Sequence, residues 1–106
     1  MVALSACSTQ GKKTTLFTAI PSSESGLDFI NKVTNTDTLN IFNYRNFYNG
    51  GGVGIGDINN DGLADVFLTS NTSQNKLFLN KGNFKFEDIT GKAFTERKVK
   101  WSTGVV

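Results

Sequence analysis

The second half of the chain is a succession of short apolar runs separated by turn residues, and this pattern constrains the fold more than any other feature. The runs cover residues 52–56, 66–69, 76–79 and 84–89, and the last run alternates apolar and charged side chains. Alternation with a period of two is typical of a half-buried β-strand. No long window repeats apolar residues at helical spacing, so the sequence predicts an all-β fold.

Four short antiparallel strands joined by tight turns make up one blade of a β-propeller. A faint internal repeat agrees with this interpretation, because Gly52-Val53-Gly54 recurs as Gly104-Val105-Val106 about 50 residues later, which is a reasonable blade length. Glycines within 52–56 are expected to let another backbone come close, and Gly82 is expected to take a positive φ in a turn. We therefore predict a partial β-propeller, with one complete four-stranded antiparallel blade and flanking partial blades.

The predicted organisation has four parts. The four parts are a lipidation-motif remnant with a polar tether (1–13), N-terminal strands and loops (14–47), the complete blade (48–100) and the start of the next blade (101–106). Within the second part, residues 14–47 are expected to form a partial blade with short strands at Leu16–Ile20 and Leu27–Ile30. The aromatic stretch 41–48 is expected to pack against the neighbouring sheet.

Composition excludes several classes of function. The chain has a formal net charge of +2, one cysteine and no histidine. A charge so balanced argues against a nucleic-acid binder, and the missing histidine excludes Ser-His-Asp triads and His-ligated metals. One cysteine cannot form a disulfide framework. The sequence has no run of 18 apolar residues, so it predicts no membrane-spanning helix.

The N-terminal sequence Leu4-Ser5-Ala6-Cys7 resembles the bacterial lipobox, in which small residues precede a cysteine that becomes lipidated. The apolar run of a full signal is missing here, because only six residues precede Cys7. The alternative is an ordinary small buried cysteine, but the polar segment 8–13 that follows is more typical of a tether. We predict lipidation at Cys7 and contact with a membrane only through that anchor.

One loop concentrates oxygen-bearing side chains in a regular order. Asp57, Asn59 and Asp61 alternate along it, and Gly62 follows them. Hard cations such as Ca²⁺ take six to eight oxygen ligands in a flexible loop, and alternate residues of a tight loop can point inward together. With the backbone carbonyl of Leu63 and the carboxylate of Asp65, these residues predict a calcium site. The predicted ligands are Asp57, Asn59, Asp61, Leu63 and Asp65.

Three other interpretations of this loop agree less well with its residues. An EF-hand shares the first six positions but needs Glu at position twelve, where this chain has Leu68, and it needs flanking helices. A plain hairpin turn explains 60–62 but leaves Asp57, Asn59 and Asp65 as coincidence. Acid–base catalysis by the carboxylates is weaker still, because carboxylates that share an ion are occupied and ionised.

The stretch 56–66 resembles the calcium loop of FG-GAP/VCBS repeats, the blades of integrin-type β-propellers. The continuation 75–90, together with 48–53 and 101–105, resembles bacterial propeller proteins that end in an ASPIC/UnbV domain, and the chain looks like an N-terminal fragment of such a protein. The resemblance implies calcium at the five ligand positions named above. It also implies a secreted or envelope-anchored protein, and that agrees with a lipobox.

The sequence therefore predicts a non-catalytic, calcium-stabilised propeller segment of a cell-envelope lipoprotein, anchored at the outer membrane or surface. Its expected partners are neighbouring blades of the same propeller and a glycan or protein ligand, and nucleic acid is not expected. The alternative is the N-terminal piece of a propeller-based extracellular lyase or hydrolase whose active site lies beyond residue 106.

Overall fold

The computed structural model describes residues 15–94 and 101–106, so the predicted lipidation site Cys7 lies outside the described residues. Within these residues, four strands and two single-turn helices make up the regular structure. In chain order they are α1 (Ser22–Ser25), β1 (Val53–Gly56), β2 (Asp65–Leu68), β3 (Lys76–Asn80), β4 (Phe86–Asp88) and α2 (Thr90–Ala93).

The four strands form one antiparallel sheet in the order β1-β2-β3-β4. Gly56 pairs with Asp65 at the end of the β1–β2 hairpin, and Phe78 pairs with both Val66 and Asp88. Each strand thus lies beside the strand that precedes it in the chain, as short connections between antiparallel strands require. This confirms the prediction of an all-β, four-stranded antiparallel blade.

The β3–β4 turn is longer than the sequence pattern suggested. Gly82 has the predicted positive φ, but Asn83 and Phe84 also lie in the left-handed region, and the Lys81 N–H donates to the carbonyl of Lys85 across the turn. The strand therefore begins at Phe86 rather than at residue 84. Phe84, predicted as a half-buried strand residue, is instead exposed on the turn.

The two strands predicted before residue 48 are absent from the described structure. Neither Leu16–Ile20 nor Leu27–Ile30 pairs with another strand, and Leu16 and Phe17 are almost fully exposed. A short apolar run does not by itself make a strand, because the backbone groups also need a hydrogen-bonded neighbour. Between these two runs, Ser22–Ser25 forms α1.

Few large apolar side chains are buried in the described part of the chain. They are Phe47, Leu77 and Phe78. Phe47 packs against Trp101 and Tyr48, with ring centroids 5.6 and 4.9 Å away. Among the described residues, no helix is long and apolar enough to cross a membrane.

Asp88 ties the last strand to its neighbours. Its carboxylate accepts hydrogen bonds from the Lys76 ammonium and, at 2.9 Å, from the Thr90 N–H at the start of α2. Partial burial raises the pKa of this carboxyl, but the hydrogen bonds from Lys76 and Thr90 outweigh burial and lower the pKa to about 2. Since the carboxylate is about a third exposed, its contribution is limited to about 1 kcal/mol.

We therefore expect an acid-sensitive contribution to stability from Asp88. A carboxyl whose folded pKa is depressed stabilises fully above its unfolded pKa of 3.8 and loses this contribution as the pH falls toward 2. The thermal midpoint of Asp88→Asn should lie below that of the parent at neutral pH, and the two curves should converge near pH 2. A constant difference between the two proteins across this pH range would contradict the assignment.

Candidate metal centre

The loop between β1 and β2 folds around the side chain of Asp57. One carboxylate oxygen of Asp57 accepts hydrogen bonds from the backbone N–H groups of Asn60 (2.7 Å) and Asp61 (3.1 Å), and the other accepts one from Gly62 (2.8 Å). Asn60 and Gly62 both have positive φ values. This conformation turns consecutive N–H groups toward one side, which makes a concave site for negative charge.

The hydrogen bonds to Asp57 favour its ionised form. The Gly62 N–H is the strongest of the groups that lower the pKa of Asp57 below its usual value, and it outweighs the opposing effect of desolvation. The N–H groups of Asp61 and Asn60 act in the same direction as that of Gly62. The first predicted ligand is therefore a carboxylate at neutral pH.

Asn59 and Asp61 lie side by side in the same loop. The amide of Asn59 donates to one carboxylate oxygen of Asp61 at 2.7 Å, and the other oxygen accepts from the Leu63 N–H at 2.8 Å. The Asp61 N–H donates in turn to the Asn59 side-chain oxygen at 3.2 Å. These short bonds keep the two side chains and the Leu63 backbone within one exposed turn.

Asp65 differs from the other predicted ligands because it is buried. It is 1% exposed, and its two oxygens accept hydrogen bonds from the backbone N–H groups of Ile58 (2.9 Å) and Asn80 (2.7 Å). As the first residue of β2, it ties the start of the loop and the end of β3 to the base of the hairpin. Its role in the structure is to fix the position of the loop.

Asn80 was not predicted from the sequence as part of this region. Besides its backbone bond to Asp65, its side-chain amide donates to the carbonyl of Ala64 at 2.8 Å. The sequence places Asn80 in a turn after β3, and nothing in local spacing connects it to a loop fifteen residues earlier. The β2–β3 pairing creates that connection.

The donor set of the loop fits a hard cation in its chemistry. All the predicted ligands offer oxygen, the atom that Ca²⁺ prefers. A carboxylate has about four lone-pair sites, so Asp57 with three hydrogen bonds, and Asp61 and Asp65 with two each, all retain at least one site. Within residues 15–94 and 101–106, however, no three His, Cys, Asp or Glu side chains gather closely enough to hold a metal. The carboxylates face backbone N–H groups rather than one another.

The matched part of the chain begins at the first residue of this loop. Residues 57–106 match the family model of an FG-GAP-like repeat. The match supports the FG-GAP repeat family, and with the four-stranded antiparallel sheet it agrees with a partial all-β blade. Searches of the curated proteins and of the solved structures gave no match. The matched residues include the β1–β2 loop, β2, β3, β4 and α2, together with the segment 101–106.

Proposed function

We propose that the chain is a non-catalytic segment of a β-propeller and that Ca²⁺ stabilises it at the β1–β2 loop. The observation that carries this proposal is the loop itself, in which backbone N–H groups hold Asp57 ionised beside Asn59 and Asp61. Asp57, Asn59 and Asp61 would bind the ion through side chains, and Leu63 through its carbonyl. Asp65 would complete the set from the start of β2.

A bound cation would add positive charge to a loop whose carboxylates now accept hydrogen bonds from backbone N–H groups and from the Asn59 amide. An ion that binds only the folded state stabilises that state. Extracellular calcium modules bind with dissociation constants of about 10⁻⁴–10⁻³ M. At about ten times that concentration the stabilisation is roughly 1–2 kcal/mol.

An apolar depression on the sheet supports neighbouring blades as partners. It has a volume of about 200 Å³ and is lined mainly by apolar groups beside the buried Asp65. Its lining includes Ile55, Ile58, Phe67 and Leu77. Ile55 is 72% exposed, and fully burying such a side chain is worth about 1.5–3 kcal/mol. We propose that adjacent blades of the same propeller cover this face.

The cellular setting of the proposal rests on sequence. The Leu4-Ser5-Ala6-Cys7 motif supports a lipid anchor at Cys7 on a bacterial envelope or surface protein, and we propose a role in binding a glycan or protein rather than in catalysis. The proposed ASPIC/UnbV-associated group agrees with the same setting. The anchor and the calcium loop are independent parts of the proposal.

Calcium titration by calorimetry tests the proposal. The parent chain should bind Ca²⁺ with a dissociation constant of about 10⁻⁴–10⁻³ M, and Asp61→Ala should bind at least roughly tenfold more weakly because it loses a charged ligand. Asp28→Ala is the matched control, since Asp28 is an exposed carboxylate outside the loop. If Asp61→Ala and Asp28→Ala bind Ca²⁺ equally well, the loop is not the site.

A further inference from the structure

The sequence has a single Asn-Gly pair, Asn49-Gly50, which lies in the bend before β1. Asparagine is a chemically labile residue. Its side-chain amide is attacked most readily when glycine follows, because no side chain then shields the attacking backbone nitrogen. Asn49 is exposed and Gly50 has a φ of 76°. Among the described residues, nothing lies within 4 Å of the position that a Cβ atom on Gly50 would take. The structure therefore leaves this pair open to solvent.

The two groups that would react at this pair are the Gly50 N–H and the Asn49 side-chain amide. Within the described part of the chain, the hydrogen bonds of these residues run from the Asn49 N–H to the Asn46 carbonyl at 3.2 Å and from the Asn71 amide to the Gly50 carbonyl at 2.8 Å. Neither reacting group takes part in these bonds. No hydrogen bond to a described residue has to break before the two groups can meet.

The Asp61-Gly62 pair in the β1–β2 loop provides a comparison within the same chain. Gly62 also has a positive φ, but its N–H donates to the Asp57 carboxylate at 2.8 Å. The Asp61 carboxylate accepts from the Asn59 amide at 2.7 Å and from the Leu63 N–H at 2.8 Å. Such charge-assisted hydrogen bonds are stronger than neutral ones and must break before this pair could cyclise. Folding therefore protects one pair and leaves the other unprotected.

We propose that Asn49-Gly50 is a modification site, at which the folded chain forms a succinimide that water converts to isoaspartate or aspartate. The Gly50 nitrogen attacks the Asn49 Cγ atom, and an N–Cγ bond forms as the Cγ–NH₂ bond breaks. The amide leaves as ammonia and takes the proton of the Gly50 nitrogen. Water then opens the ring: cleavage at Cγ gives aspartate, and cleavage at the Asn49 backbone carbonyl gives isoaspartate. This modification does not depend on calcium.

The isoaspartate product lengthens the main chain by a methylene group between two parts of the fold that are held in place. On one side, Phe47 is fully buried against Trp101. On the other side, a Cβ atom on Gly51 would lie only 2.1 Å from the Thr69 carbonyl oxygen, and the Gly52 N–H donates to the Thr69 hydroxyl at 2.6 Å. The added length therefore displaces one of these two parts.

Gly52 also contacts the segment 101–106. A Cβ atom on Gly52 would lie 2.7 Å from the Thr103 carbonyl oxygen and 2.9 Å from the Val105 nitrogen. The close approach predicted for this glycine-rich strand is therefore confirmed at Gly52. A displacement on either side of the modified bond would change the surroundings of Trp101, which lies between Phe47 and this segment. Since Trp101 is the only tryptophan, its emission reports the change.

Incubation of the parent chain in calcium-free buffer at mildly alkaline pH, folded and in urea, tests the proposal. Mass spectrometry of the digested chain locates each replacement of NH₂ by OH, and chromatography separates isoaspartyl from aspartyl peptides. Asn49 should react in the folded chain at a rate within a few-fold of that in urea. Asn49→Gln should give no product at this position, because glutamine would need a larger ring. An unmodified Asn49 in the folded parent, with modification in urea, would overturn the proposal.

Asp61→Asn is the matched control, because it creates a second Asn-Gly pair whose glycine N–H is bonded to Asp57. In this chain, folding should slow the reaction at position 61 by at least roughly tenfold, because a hydrogen bond to a charged acceptor must break first. The reaction at Asn49 should slow far less. Equal protection of the two positions by folding would contradict the assignment of Asn49 as the open site.

The effect of the modification is measured on the isoaspartyl form, which is separated from the incubated parent. Its unfolding midpoint should be lower than that of the parent, and its Trp101 emission should lie at longer wavelength. Asn49→Asp is the control, since it has the charge of the aspartate product without the longer main chain, and it should match the parent in both measurements. If the isoaspartyl form and Asn49→Asp behave alike, the predicted displacement is wrong.

Discussion

Asp65→Asn should lower the free energy of unfolding by about 2–3 kcal/mol. The carboxylate is buried and accepts backbone hydrogen bonds from Ile58 and Asn80. An asparagine amide has one oxygen and one NH₂ group, so one of the two backbone N–H groups would face another donor. A buried donor left without a partner costs about 1–3 kcal/mol, and a hydrogen bond to a charged acceptor is stronger than one to a neutral acceptor.

Thermal or denaturant unfolding followed by far-ultraviolet circular dichroism measures this effect. Asp28→Asn is the control. Because Asp28 is exposed, this substitution should change the free energy of unfolding by no more than about 0.5 kcal/mol. The loss in Asp65→Asn should persist in calcium-free buffer, because the two backbone bonds do not depend on an ion. If Asp65→Asn and the parent have the same unfolding midpoint, the role assigned to Asp65 is wrong.

Asn71→Ala should have the largest effect of any single substitution in the loop after β2, about 3 kcal/mol. Its side chain accepts from Asn31 and donates to the carbonyls of Gly50 and Ser102, with distances of 2.7 to 3.0 Å. These three bonds join three separate parts of the chain, and each is worth about 1 kcal/mol before the cost of the groups left unpaired. Alanine can replace none of them.

Gln74→Ala is the matched control for this substitution, because Gln74 is an exposed amide in the same loop. We expect a large loss of stability and a red shift of Trp101 emission in Asn71→Ala, and neither change in Gln74→Ala. The red shift follows because Asn71 holds the Ser102 carbonyl next to the tryptophan. Equal stability of the two variants would show that the Asn71 contacts do not hold the chain together.

The strands of the blade could be predicted from the sequence because each has a local signal. Short apolar runs between turn residues identified β1, β2 and β3 to within one residue at each end, and Gly82 identified the β3–β4 turn. The predicted start of β4 was wrong because hydrogen bonds across the turn set the left-handed conformation of Asn83 and Phe84. Asn adopts this conformation more readily than most residues, but Phe seldom does, so the alternating run does not predict it at Phe84.

Contacts between distant parts of the chain could not be predicted from the sequence. Asn31 and Asn71 are 40 positions apart, and each looks like an ordinary loop residue when only its neighbours are considered. The N-terminal runs at Leu16–Ile20 and Leu27–Ile30 are short and mainly apolar, as many strands are, but the described structure gives them no partner strand. Strand formation depends on long-range pairing, which local patterns do not specify.

The order of the candidate ligands along the loop could be predicted from the sequence, but the different roles of the individual residues could not. The spacing of Asp57, Asn59 and Asp61 follows from alternation in a tight loop, and the structure places all three in one turn. Sequence spacing does not distinguish these exposed residues from Asp65, which is buried and fixes the base of the loop. That distinction arises from the pairing of β2 with both β1 and β3.

A calcium titration of the nitrogen-labelled chain, followed by two-dimensional NMR of the backbone amides, tests the central claim most directly. We predict saturable shifts confined to the amides of residues 57–65, with a dissociation constant of about 10⁻⁴–10⁻³ M and a much smaller response to Mg²⁺. The Asp61→Ala chain should lose these shifts. Shifts spread over the whole chain, or an unchanged spectrum at millimolar Ca²⁺, would contradict a calcium site in the β1–β2 loop.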